Sequence, residues 1–524
     1  MAQSDSTVQV SQLEYLSLSK PRKILYRFTH FFTDIPKKCK MKARSIKTKT
    51  RKNTKGFLGI FHNLFLAMKE GDYKTRLSFL LMGFGLVTRR QILRGIFYFL
   101  FEVAFAAFLV VIGVPSLAQL GSLGTVAGGS YATIDGLIDI TASVYYDNSF
   151  TILLYSLLTI CLMLIFVFLW YNQIRDSKEL QDKEEIGRYA SDNQTVKNIF
   201  DKSYDKTLLF VPIGCLAVFT IFPIIMMVVI AFTNYDYMHE PNAKLFDWVG
   251  FYNLETLFSA NTLSGSSTIF LQTFGKVLLW TLIWAFFATF SNYFLGMIVA
   301  MIINTKGIHL KKLWRTILIT TIAVPQFVSL LIISQMFADS GIINNLLLSW
   351  GWISGPIKWL SDPILAKVTI ILVNTWVGIP YTMLICTGLL MNIPEDLYES
   401  ARIDGASPAK MYFKITLPYM LFVTGPYLIS QFVGNINNFN VIYLLSGGGP
   451  VFTFTTANVP SIIRDSSVGN TDLLITWIYK ITTNKSYDYG MASVLGIMIF
   501  AVVAFFSLIF YNRSGSVKDE EAFQ

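Results

Sequence analysis

Apolar runs of about 20 residues constrain this chain first, because each is long enough as a helix to cross the ~30 Å hydrocarbon core of a bilayer. GIFYFLFEVAFAAFLVVIGVP (95–115), FTILLYSLLTICLMLIFVFLW (150–170), LLFVPIGCLAVFTIFPIIMMVVIAFT (208–233) and ASVLGIMIFAVVAFFSLIFY (492–511) are the plainest. Four more lie at about 277–303, 314–337, 366–391 and 419–445. Charged residues make up only 15% of the chain, and the mean hydropathy is +0.50. A soluble domain carries about a quarter charged residues. The expected fold is an all-α polytopic membrane protein with eight transmembrane helices. SFLLMGFGLV (78–87) is too short to span and is expected at the interface.

Charge sets the topology. With the N-terminus cytoplasmic, eight spans put 171–207, 304–313, 392–418 and the C-terminus inside. Of the 43 Lys and Arg, 36 then fall inside and six in the outside loops, a strong positive-inside bias. The division expected is a basic cytoplasmic region 1–94, two accessory helices with a charged cytoplasmic linker over 95–206, a six-helix block over 207–511, and a cytoplasmic tail 512–524. Twenty Lys and Arg crowd into 1–94. The plain reading of KKCKMKARSIKTKTR and RKNTK is a solvated tail. Contact with anionic membrane lipid is expected over nucleic acid, since the tail is tethered to a membrane.

Other chemistry is thin. Cys39, Cys161, Cys215 and Cys386 are scattered, as are the four His residues, so neither a disulfide framework nor a metal site is expected. The first 20 residues lack the apolar core of a signal peptide. No GxxxxGK[ST] motif occurs; Gly275-Lys276 is followed by Val277. Nucleotide would have to be bound by another subunit.

The polar stretch ESARIDGASPAKMYFKITLP (399–418) lies between two of these runs. Locally it reads as two short helices. Asn392 is placed to cap the first, with Pro394 in its first turn and Glu395 where a capping box wants an acid. Asp404-Gly405 signals a turn. Ser407-Pro408 starts a second helix running toward Ile415, and Pro418 opens the next span. By itself this is an amphipathic loop resting on a membrane. Its spacing says more. Glu399-Ser400-Ala401, three residues, Gly405, nine residues and Ile415-Thr416-Leu417-Pro418 resembles the EAA motif of ABC importer permeases, with Ser400 for the middle Ala the one departure. The resemblance implies a type I ABC importer permease core of six helices plus two N-terminal ones. It also implies that 392–418 is a coupling loop in which Glu399, Ser400, Ala401 and Gly405 dock on a separate ATPase subunit.

The cargo side is read from polarity. Spans three to eight hold no acid, and Glu102 in the first span is the main exception. Charge at mid-membrane costs about 2.5–3.5 kcal/mol on insertion scales, so functional acids would stand out. Their absence argues against an ion-coupled carrier and against charged cargo. Neutral amides stand in their place. The sixth span carries Asn374, Thr375 and Trp376, then Tyr381 and Thr382. The seventh carries Gln431, Asn435, Asn437, Asn438 and Asn440, with 431, 435 and 438 at i, i+4, i+7 on one helix face. Amides also bond helix to helix; five in ten residues favour a cavity lining suited to sugar hydroxyls.

NTWVGIPYTMLICTGLLMNIPEDLYESARIDGA and NINNFNVIYLLSGGGP are similar to the MalF-type subunit of maltose and maltodextrin importers, most strongly over 277–511. The resemblance implies that Gly378, Tyr381, Gln431, Gly434, Asn435 and Asn438 bind an oligosaccharide. It implies that Gly447, Gly448, Gly449 and Pro450 contact a binding protein, although SGGGP alone is merely a flexible turn. Gly434 stands where enteric members have a stacking Phe, and the 234–276 loop lacks their folded insert, as in Gram-positive members. Implied partners are a second, MalG-type permease, two ABC ATPase subunits carrying ATP and Mg, and an extracellular lipid-anchored sugar-binding protein. No cofactor is expected in this chain, and it is not read as an enzyme. Rival readings are a permease for galacto-oligosaccharide, raffinose-type sugar or glycerol phosphate, an ion-coupled carrier or channel, and a scaffold without cargo.

Overall fold

The computed structural model describes residues 59–128, 133–134, 137–138, 146–187, 197, 204–239, 244–258, 266–305, 307–454 and 459–513. The basic runs of the N-terminal region up to 58, Cys39, most of the linker after 187 and the tail from 514 lie outside them. The described chain is almost wholly helical, with one small antiparallel ribbon, Thr133–Ile134 against Leu137–Ile138. Among the described residues six helices are long and apolar enough to cross a membrane: Ile92–Gln119, Ser149–Glu185, Thr207–Ile230, Thr268–Asn304, Pro363–Leu390 and Tyr489–Ile509.

The two other expected spans are broken, each by its own sequence. Over 314–337, Lys311–Ala323 and Gln326–Met336 meet at 89°. Pro325 supplies no N–H and pushes Val324 to an extended φ/ψ of −77°/123°, so the helix cannot run through. Over 419–445, the Leu417–Ile436 helix stops at Asn437, and Phe439–Ser446 begins anew. Asn438 caps that second piece, its side chain accepting from the Val441 N–H at 3.3 Å. A single helix over 419–445 is therefore not what forms; short amides compete for the backbone and end it.

The chain folds as two compact units, 1–115 with 158–212 and 116–157 with 213–524. The first is organised around Arg89, whose side chain is 3% exposed. Its Nη2 donates to Asp72 Oδ1 at 2.6 Å, Nη1 to Ser177 Oγ at 2.9 Å and Nε to Glu184 Oε2 at 3.3 Å. Gln181 Oε1 accepts from the Asp72 N–H and the Thr75 hydroxyl, and Gln173 Nε2 donates to the Ser78 carbonyl at 2.6 Å. Glu102, the acid of the first span, accepts the Met82 N–H at 2.8 Å. It serves the fold by satisfying a turn amide. Met82 and Leu86 are buried inside this unit while Leu80 is exposed, so only part of 78–87 is free to face an interface.

The second unit packs Ser266–Asn304 against Pro363–Leu390 along a stripe of small residues, Ala285, Ala288, Gly296 and Ala300. A Cβ on Gly296 would sit 2.7 Å from Thr382 Cβ, so the two backbones approach as closely as small residues permit. Trp280, Trp284, Leu330, Ile370 and Val441 form one buried cluster, and Tyr293, Met297, Met383, Cys386 and Met420 another. On the Thr207–Ile230 helix, Val218 and Phe219 are 60% and 77% exposed, an apolar surface fit for lipid.

Candidate functional site

Between the two clusters lies a cavity of about 170 Å³. Ser266–Asn304 contributes Ala288, Thr289, Asn292 and Tyr293, and Pro363–Leu390 contributes Asn374, Gly378, Tyr381 and Thr382. Tyr427, Leu428, Gln431 and Asn435 come from Leu417–Ile436. The two helix breaks each deliver an amide: Gln326 just after Pro325, and Asn438 at its cap. No charged side chain lines the cavity.

Five of the six residues that the resemblance singled out, Gly378, Tyr381, Gln431, Asn435 and Asn438, line this one space. Gly434 does not. It is exposed, and a Cβ built on it would meet nothing within 4 Å. Asn437 and Asn440 are likewise exposed and outside the wall. Because the helix ends at Ile436, Asn438 reaches the cavity from a cap and not from the continuous i, i+4, i+7 face expected of it.

The amides are wired together. Asn435 Nδ2 donates to Thr289 Oγ1 at 3.0 Å, Asn438 Nδ2 to Asn435 Oδ1 at 3.2 Å, and Trp284 Nε1 to the Asn435 carbonyl at 3.1 Å. Thr424 Oγ1 donates to Tyr293 Oη at 2.8 Å, and Ser291 and Thr375 share a hydroxyl–hydroxyl bond of 2.8 Å. Two atoms of the wall are left over: Asn292 Oδ1 and Asn374 Nδ2 are buried with no partner among the described residues. Neutral donors and acceptors beside tyrosine rings suit a polyhydroxylated, uncharged ligand. The sequence pattern points to Asn374 and Thr382 in the sixth span but not to Asn292, Tyr293, Gln326 and Tyr427. The signals present were Ser291-Asn292-Tyr293 inside an apolar helix, and the Pro325-Gln326 break.

The 392–418 stretch forms a helical hairpin. Its first helix is Glu395–Ile403, with Pro394 at the N-cap position, before the first turn, and no side-chain cap; the Asn392 N–H instead donates to the Leu389 carbonyl. Gly405 closes the helix at φ +71°, a conformation glycine adopts without a Cβ penalty. The Ala406 N–H bonds back to the Ala401 carbonyl at 2.8 Å. Ser407 caps Pro408–Met411, and a π turn, Tyr412–Thr416, leads into Leu417–Ile436 with Pro418 in its first turn. A 2.8 Å bond between the Tyr398 and Thr416 hydroxyls ties the hairpin to that helix. No residue of Glu395–Ile403 is buried. Glu399, Ser400 and Gly405 are exposed, Ala401 is half-buried, and Ile403 is 86% exposed. This apolar and acidic face has no cover among the described residues.

SGGGP is not a loose turn. Gly447 and Gly448 take φ +59° and +82°, and a Cβ on Gly448 would collide with the Asp472 carboxylate. Asp472 is fully buried, accepts the Gly469 N–H at 2.7 Å and pairs with Lys480 Nζ at 2.7 Å. Thr471 Oγ1 donates to the Gly449 carbonyl at 2.6 Å. The glycines are required so that backbone can close on a buried carboxylate, and the flexible reading is corrected. Gly447 is exposed, whereas Gly448 is buried.

Residues 292–515 match the family described as binding-protein-dependent transport system inner membrane component. The galactooligosaccharides transport system permease protein GanP of Bacillus subtilis is 35% identical over 387 residues, covering 74% of this chain and 88% of GanP. The maltodextrin transport system permease protein MdxF of the same organism is 32% identical over 458 residues, covering 86% and 97%. The maltose/maltodextrin permease MalF of Escherichia coli K12 is 36% identical over 240 residues, 45% of each chain. The chain belongs to this family: it is a multi-pass transmembrane permease subunit of an ABC importer, and a transport subunit, not an enzyme.

Proposed function

We propose that this chain is the MalF-type half of an ATP-driven importer for a neutral oligosaccharide of the maltodextrin kind. One observation carries the reading: a cavity walled by amides, hydroxyls and tyrosines, with no charged residue. Sugar hydroxyls need both donors and acceptors, and a permanent charge would raise the desolvation penalty without a partner to match it. Tyr381, Gln431, Asn435 and Asn438 are its binding residues, and Gly378 shapes the wall between them. The broken helices are the fifth and seventh of eight crossings, with both termini cytoplasmic in a Gram-positive cell membrane. Galacto-oligosaccharide is the second reading, favoured by the similarity to GanP.

The exposed Glu395–Ile403 helix is the lever. It docks on one of two ATPase subunits, which bind ATP and Mg, while a MalG-type permease forms the other half. A lipid-anchored extracellular binding protein delivers the sugar and meets the SGGGP knot at Gly447. Its rigidity suits this role, since a fixed surface binds with less ordering entropy than a flexible one. Reconstitution of all subunits in vesicles tests the reading. Glu399→Lys is expected to reduce ATP-driven maltodextrin uptake to background. Unchanged uptake would remove the coupling role.

A further inference from the structure

The cavity wall holds two buried amide atoms, on two different side chains, with no partner among the described residues. Asn292 projects from Ser266–Asn304, one wall helix, and Asn374 from Pro363–Leu390, the helix packed against it. Asn374 is 6% exposed. Their unpartnered atoms are complementary, Oδ1 an acceptor and Nδ2 a donor. An unsatisfied buried polar group destabilises a fold, so a fold retains it where something else offsets the loss. Two other buried side-chain atoms among the described residues share this condition, Ser149 Oγ and Arg315 Nε, and neither lines the cavity.

Gly378 adds the second observation. It lies one turn beyond Asn374 on the same face, and a Cβ built there would sit 2.6 Å from Asn292 Cγ. The amide of Asn292 therefore lies flat on bare backbone. Its last torsion joins sp³ to sp² carbon and is broad, so the amide can turn toward the cavity without leaving a rotamer well.

We propose that Asn292 is a sugar-contacting, specificity-determining residue, acting with Asn374 as an acceptor–donor pair for the sugar's hydroxyls. Gly378 is then a positioning residue, whose missing side chain leaves room for that amide. This rests on the reading of the cavity as a sugar site. A hydroxyl both donates and accepts, so one hydroxyl, or two neighbours on a ring, satisfies both orphan atoms together. An analogue lacking that hydroxyl would leave them buried and unpaired, which is how such sites discriminate.

The experiment uses the complete transporter in vesicles, with maltotriose, a galacto-oligosaccharide and a set of monodeoxy analogues of whichever is imported. Asn292→Ala is expected to raise KM for uptake about five- to tenfold, the loss of one hydrogen bond to sugar, with Vmax changed much less. One deoxy analogue that wild type transports poorly should be transported equally by wild type and variant. Should Asn292→Ala fail to assemble, Asn292→Ser, with an acceptor on a shorter arm, carries the same comparison. An unchanged KM, or a loss of equal size for every analogue, overturns the assignment while leaving the sugar reading intact. A wild-type complex that imports neither sugar overturns both.

Discussion

Two polar clusters lie buried among the helices of this protein, and they are built on opposite plans. Around Arg89 the groups are charged, and the guanidinium is matched by Asp72, Glu184, Ser177 and Thr75. Burial would raise the Asp72 carboxyl, but the Thr75 N–H and the Arg89 guanidinium outweigh it and hold the group below the usual carboxylate range. Around the 170 Å³ cavity the groups are neutral, and Asn292 and Asn374 are left incomplete. A closed network spends its hydrogen-bonding capacity on the fold and has none to offer a ligand. An open one gives up stability and keeps capacity for a visitor.

Breaking the closed cluster should have the largest effect. Arg89→Ala strands two carboxylates beside a Thr and a Ser and is expected to destabilise the purified protein by about 3 kcal/mol. Arg89→Lys keeps the charge but loses the fork, and should fall between. Thermal unfolding in detergent reads both. If Arg89→Ala melted like wild type, the network would be ornamental and the contrast would fail.

Asp488 tests the middle ground, a half-buried acid with no ion pair among the described residues. Burial and the neighbouring Asp236 raise its carboxyl to about 6, although the Met491 N–H, 2.7 Å from Oδ1, favours the charged form. The folded state thus binds a proton more readily than the unfolded chain, whose ordinary value is 3.8. Stability from this group rises as pH falls from about 6 to about 4, and is lost as pH rises through that window. Asp488→Asn keeps an acceptor for Met491. It should add about 2 kcal/mol at neutral pH and flatten the pH profile of the melting midpoint between those limits. A variant no more stable than wild type at pH 7.5 would contradict it.

The open cluster is probed by Gly378→Ala. Its new Cβ displaces the Asn292 amide, and uptake affinity should fall about tenfold, in line with a small overpacking strain. In an Asn292→Ala background the same change should be nearly neutral, because the obstacle is gone. Additive effects in the double variant would mean that Gly378 acts independently of Asn292.

Much of this was legible in the sequence, and what was not has a local cause. Length and apolarity announced six helices, since a span is a one-dimensional property. The 392–418 hairpin was legible because Gly405 and Pro418 mark backbone requirements at fixed spacing. The breaks were not. Pro325 and Asn438 sit in runs whose average polarity still reads as a span, and a window average hides one residue that ends a helix. Asn292 and Tyr293 were overlooked for a related reason. A cavity is assembled from helices far apart in the chain, and only the 431–438 amides were dense enough to draw attention by themselves. SGGGP misled because glycine reads as freedom, whereas here it permits contact with the buried Asp472.

The smallest expected effect is at Gly434, and it decides where the open cluster stops. Its neighbours Gln431, Asn435 and Asn438 line the cavity, while Gly434 points into open space and is not held at positive φ. Gly434→Ala therefore meets no clash and removes a flexible residue from the Leu417–Ile436 helix, which should stabilise it by up to about 1 kcal/mol. Uptake KM should stay within about twofold, since no wall group moves. Gly434→Phe goes further by placing an aromatic ring at this position. If the sugar is held by amides alone, the ring adds nothing and KM again holds. A tenfold change in either variant would mean that the sugar passes beside residue 434, and that the wall extends beyond the cavity as the folded chain now draws it.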